Sequence, residues 1–137
     1  MRCRQPLAHR APAARPRHRP VALQPWLVSD ARNQHRIVRL ARRMPVGGGL
    51  LVRPDELGRG VLVRQFRALR AIAAGRALTL QLAVRPALAR RLGAAGVHVR
   101  HGAHGDAAIA RRLGLRLSMP VHGPDEAARA RRARAAM

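Results

Sequence analysis

The sequence has no Tyr and no Lys, and its aromatic side chains are one Trp, Trp26, and one Phe, Phe66. A core made from it must therefore be aliphatic, built of Leu, Val, Ile and Ala, and the stacking platform that single-stranded nucleic-acid binders use is missing. The single cysteine, Cys3, excludes an intramolecular disulfide. It lies in an Arg- and Pro-rich stretch with no base to orient it, so it reads as incidental. No apolar run reaches the roughly 18 residues that a membrane-spanning helix needs. The basic N-terminus also lacks the apolar run of a secretory signal. The expectation is a cytoplasmic protein with no membrane partner.

Acidic residues are scarce too, 6 against 28 basic ones, which gives a formal net charge of +22. Every basic residue is Arg. A surface that binds a phosphate backbone needs positive charge of either kind, so the total replacement of Lys reads as codon bias rather than selection for nucleic acid. Such a charge still attracts polyanions non-specifically at low salt. A basic nucleic-acid-associated protein without enzymatic activity is thus the alternative reading of function.

What is present is a repeating order. Residues 1–24 are dense in Arg, Pro, Ala and His, with Pro6, Pro12, Pro16 and Pro20 placed so that no helix runs through, and they read as a disordered arm. From Pro25 to the end, residues 25–137, short aliphatic runs alternate with longer Arg/Ala/Leu segments, the βαβα pattern of a parallel sheet. Strands are expected at Trp26–Ser29, Leu50–Arg53, Ala77–Ala83, Gly96–Val99 and Leu115–Met119. Helices are expected at Asn33–Arg43, Val61–Ala74 with Gly75 as C-terminal cap, Pro86–Leu92 ending at Gly93, a segment capped by Asp106 and ending at Gly114, and a last one from Pro124. Five βα units result, where a closed (β/α) barrel needs eight and roughly 200 to 250 residues. The fold class is α/β, a partial TIM barrel; an open flavodoxin-like sheet is the other closure that five units permit. Unpaired edges on the first and fifth strands point to self-association.

The segment ALARRLGAAGVHVRHG, Ala87–Gly102, resembles the fourth-strand hallmark of thiamine phosphate synthases and their TenI relatives. PWLVSDARN, Pro25–Asn33, looks like that family's first strand, and VHGPDEAARARRA, Val121–Ala133, looks like its segment after the fifth. The resemblance implies a TIM barrel associated with thiamine biosynthesis, with a phosphorylated thiamine precursor as ligand and, in the full-length synthases, Mg²⁺. Carried over residue by residue, it keeps Arg53 at the Arg of the motif ending strand two, with Leu51 and Pro54 around it where the family has its substrate-binding Gln and Lys. It also puts His122 at the motif His, and makes Arg53 and Ser118 the candidates for substrate or phosphate. Ser118 stands close to the motif Ser, whose own place is taken by Pro120. The Asn-Asp pair expected after strand three is replaced by Leu82-Ala83 or Val84-Arg85, and no acid follows strand four among Arg100, His101 and Gly102. The chain is expected to be a divergent, C-terminally shortened member with little or no catalysis of its own.

His122, an imidazole at the motif position, suits acid–base work in a tautomerase-like reaction, or is simply a loop residue before a helix. His98, His101 and His104 recur every three residues, a spacing that fits neither one face of a strand nor a preformed chelate, so no metal site is expected. Gly47–Gly49 precede a strand instead of following one, which makes them a turn and not a phosphate loop.

Overall fold

The computed structural model describes residues 24–54 and 57–135, without the side chains of Arg59 and His104. The expected N-terminal arm, Cys3 included, lies outside the described residues except for Gln24. Five strands alternate with helices: β1 (Trp26–Val28), α1 (Ile37–Ala41, entered through a 3-10 turn at Gln34–Arg36), β2 (Gly49–Val52), α2 (Arg59–Gly75), β3 (Thr79–Leu82), α3 (Pro86–Leu92), β4 (Gly96–His98), α4 (His104–Arg112), β5 (Arg116–Ser118) and α5 (Pro124–Arg132).

All four strand pairings are parallel, and the spatial order is β1-β2-β3-β4-β5. That order decides between the two closures. A flavodoxin-like sheet reverses direction after its first crossover and so has helices on both faces. Here every crossover steps the same way, and right-handed connections then stack all the helices on one face. The sheet is an arc of a (β/α) barrel with its concave side open.

The burial pattern follows from this one-sided layering. Leu50, Val52, Leu80, Leu82, Val97, Val99 and Leu117 are buried against the helices. In α2, Leu62, Phe66, Leu69 and Ala73 recur at helical spacing and supply the largest apolar ridge. Phe66 is fully buried and is worth roughly 2 to 3 kcal/mol of burial. The other helices present Ala to the sheet, Ala41, Ala89, Ala107, Ala110 and Ala130, so they can lie close to it. The alternate strand residues, Trp26, Val28, Leu51, Gln81, His98 and Ser118, line the concave side.

Four helices end alike. An amide just past the helix bonds to the carbonyl five residues back, in Leu78 to Ala73, Ala94 to Ala89, Leu115 to Ala110 and Ala135 to Ala130. Each closure needs a left-handed residue, and these are Ala77, Gly93, Gly114 and Arg134. Gly93 and Gly114 fall where the sequence suggests. Gly75 does not: it is the last residue of α2, and Ala77 takes the left-handed position. Asp106 is likewise inside α4, whose N-cap is Ala103, and its carboxylate lies in the first turn, where the helix dipole favours it.

Candidate functional site at the C-terminal ends of the strands

The loop after β1 is organised by its own side chains. Asp30 Oδ1 accepts the amides of Arg32 and Asn33, while Asn33 Oδ1 accepts the amide of Asp30 and its Nδ2 donates to the Val28 carbonyl. This turn fixes Ser29, which is completely buried. The Arg53 amide donates to Ser29 Oγ at 2.7 Å, and Ser29 Oγ donates to the Arg53 carbonyl at 3.2 Å. Gln34 Nε2 donates to the same carbonyl at 3.3 Å. The backbone at the end of β2 is thereby clamped, and the exposed Arg53 side chain leaves it towards the cleft.

Two adjoining clefts, of about 390 and 370 Å³, open at this end of the sheet and share Ala83, His98 and Arg100. Pro54, Arg85 and Asp106 are among the residues completing one. Arg53, Leu51, Pro120, His101 and His122 are among the residues completing the other. Arg53 and His122, both singled out in the sequence, thus share a cleft, with His122 exposed on its rim. Ser118 stands deeper, on β5, with both sides of its hydroxyl engaged: Oγ lies 3.0 Å from His98 Nδ1 and donates to Gln81 Oε1 at 2.6 Å.

Two members of this relay, Gln81 and His98, are not in the sequence-derived site, and neither is Arg100. Gln81 had a signal: it is the one strongly polar side chain in the run Leu78–Val84, at an alternating position that faces away from the helices. His98 lies on β4, half-buried, and its imidazole is held below its ordinary pKa by burial first, then by the positive charge of Arg53 and of Arg100. The His98/His101/His104 series is divided by the structure. His101 is exposed in the following loop, with Nδ1 2.7 Å from Glu126 Oε1, while Glu126 Oε2 accepts the His122 amide at 2.5 Å. Glu126 thereby joins the loop after β4 to the one after β5, and that amide, with the two imidazoles, holds its carboxyl below the usual range.

The arrangement of parallel strands and outer helices is similar to that of a solved structure, thiamine phosphate pyrophosphorylase from Pyrococcus furiosus, with a TM-score of 0.69. The likeness is one of fold. Sequence identity is 19%, and the match covers 82% of this chain and 57% of that one. No family model and no curated protein sequence matches the chain.

Magnesium prefers hard oxygen ligands, chiefly carboxylates. Among the described residues no group of three or more His, Cys, Asp or Glu is placed to hold a metal ion, and Asp106 is the one carboxylate lining either cleft. Guanidiniums and imidazoles dominate instead. Such a donor set fits an anion and does not fit Mg²⁺. No helix of the described residues is long and apolar enough to cross a membrane.

Proposed function

We propose that this chain is a thiamine phosphate synthase/TenI-like domain that holds a phosphorylated thiamine precursor at the C-terminal ends of its strands, with little or no catalysis on its own. The observation that carries this reading is the placement of Arg53 and Arg100 around one cleft at that end of a parallel arc. Ligands of parallel (β/α) folds bind at this end, and guanidiniums are well suited to phosphoryl oxygens. The fold likeness to thiamine phosphate pyrophosphorylase supports the choice of ligand class.

Weak catalysis follows from the same residues. Expelling pyrophosphate requires fixed cationic stabilisation of the leaving group, commonly a metal held by carboxylates. Leu82, Ala83 and Val84 give no such ligand after β3. His122 on the rim is the residue that would exchange protons with a bound heterocycle. Any thiazole tautomerisation by the chain is expected to vanish in His122→Ala.

The test is calorimetric titration with inorganic pyrophosphate and with a thiazole phosphate ester at about 0.15 M salt, where non-specific attraction is screened. Saturable binding is expected, weakened about tenfold by Arg53→Gln. Absence of saturable binding for both ligands would overturn the reading. The charge of +22 favours a second reading, non-specific association with nucleic acid. It predicts an affinity for duplex DNA that falls steeply as salt rises; retention that is insensitive to salt would rule it out.

A further inference from the structure

We infer that His98 is a fixed hydrogen-bond acceptor that selects phosphoryl anions still carrying a proton, such as hydrogen phosphate, over tetrahedral anions with none, such as sulfate. The inference rests on the proposed anion site and adds its specificity: a phosphate monoester would bind there as its monoanion, with the P–OH donated to His98.

The argument is one of hydrogen count. Gln81 presents Oε1, a carbonyl oxygen that can only accept. The Ser118 hydroxyl has one proton and gives it to Gln81 at 2.6 Å. Towards His98, 3.0 Å away, Ser118 therefore has only lone pairs to offer, and His98 Nδ1 must be the protonated nitrogen. A neutral imidazole protonated on Nδ1 has a bare Nε2. The relay runs Nδ1–H to Oγ–H to Oε1, across three strands, and it is shielded at its far end because Gln81 is 3% exposed.

The neutral state is secured by the surroundings. His98 is partly buried, and the positive charges of Arg53 from the end of β2 and Arg100 from beyond β4 both oppose a positive imidazole; among the described residues Arg85 and Asp106 line the adjoining cleft that His98 also borders. His101 and His122 line the Arg53 cleft further out. The cleft thus pairs cationic donors with an acceptor that cannot become a donor by a tautomer shift without breaking the Ser118 bond, while burial and the two guanidiniums oppose its protonation. Hydrogen phosphate satisfies both, since its oxygens accept from the guanidiniums and its P–OH donates to Nε2. Sulfate, with the same charge and nearly the same shape, sets an oxygen lone pair against the Nε2 lone pair.

The experiment compares inorganic phosphate with sulfate by calorimetry at about pH 8, above the ordinary titration range of His. Both anions are then dianionic, so that charge attraction cancels. Phosphate is expected to bind about tenfold more tightly, the usual consequence of leaving one buried polar partner unpaired. In Ser118→Ala the imidazole is free to carry its proton on Nε2, and the preference is expected to collapse to less than about threefold. Nitrogen-15 spectra of the wild-type ring read the tautomer directly and need no variant. Equal affinities for the two anions, or a ring protonated on Nε2, would overturn the role of His98 while leaving the anion site standing. Failure to bind either anion or pyrophosphate would overturn the site itself.

Discussion

The indole of Trp26 lies flat over the α-carbon of Gly49, its partner across the β1–β2 pairing: a Cβ built on Gly49 would sit 2.3 to 2.5 Å from three ring atoms. The ring is 42% exposed and closes one end of the concave face above Val28 and Leu51. Gly49→Ala is expected to push the indole off the sheet, because a contact that short cannot be absorbed. Trp26 is the sole Trp, so the displacement is readable as a red shift of the intrinsic fluorescence. A stability loss of about 1 kcal/mol should accompany it, the lower end of overpacking costs, since the ring has solvent to move into. An unshifted emission spectrum would show that the ring does not rest on Gly49.

A second prediction comes from the end of α2. Ala77 adopts φ 51, a left-handed conformation that costs a residue with a Cβ about 1 kcal/mol, while Gly75 sits in the helix, where Gly is itself unfavourable. Ala77→Gly is expected to raise stability by about 1 kcal/mol, and Gly75→Ala by about 0.5 to 1 kcal/mol, since no atom lies within 4 Å of the added methyl. Thermal melts of the two single variants and the double variant check this. A lower melting temperature for Ala77→Gly would contradict the assigned helix end.

The helix end also marks what the sequence does and does not make legible. The alternation of runs from Trp26 to Arg132, the apolar face of α2 and the stops at Gly93 and Gly114 all follow from local chemistry, and local chemistry is readable residue by residue. Gly75 misleads because two candidate positions lie two residues apart, and packing of Leu78 under the helix selects the later one. The relay of Gln81, Ser118 and His98 is a different case. Its members are 37 and 20 residues apart, and they meet only because β3, β4 and β5 pair at one particular stagger. No local pattern encodes that stagger. Arg53 is singled out by the motif resemblance alone, whereas the Ser29 and Gln34 clamp on its backbone depends on the turn set by Asp30 and Asn33.

Stability should depend on pH in two separate windows. His98 in the folded chain has a pKa below its unfolded value of 6.5, so between the two values the unfolded chain binds more protons. Its contribution is full above about pH 6.5 and is lost as pH falls from there. Glu126 is shifted in the same direction from 4.5, and its contribution is lost only as pH falls below about that value. Melting temperature is therefore expected to decline in two steps on acidification. His98→Gln should flatten the upper step and Glu126→Gln the lower. A profile with no decline between about pH 7 and pH 5 would contradict the environment assigned to His98.

The outer strands make the last prediction, which concerns association. Among the described residues β1 pairs only with β2 and β5 only with β4, and β1 carries Trp26 and Val28 at 42% and 41% exposure. An apolar strand with a free edge is a template for pairing with another chain. The charge of +22 opposes such an encounter, and the opposition is electrostatic, so it weakens as the screening length shortens from about 30 Å at 0.01 M salt to about 8 Å at 0.15 M. Self-association is thus expected to increase with salt, the reverse of polyanion binding, which weakens with it. Sedimentation velocity across a salt series separates the two behaviours in a single preparation. Val28→Lys, which places a charge on the β1 edge, should restore the smaller species at high salt. A monomer at every salt concentration would contradict the expected edge-mediated association.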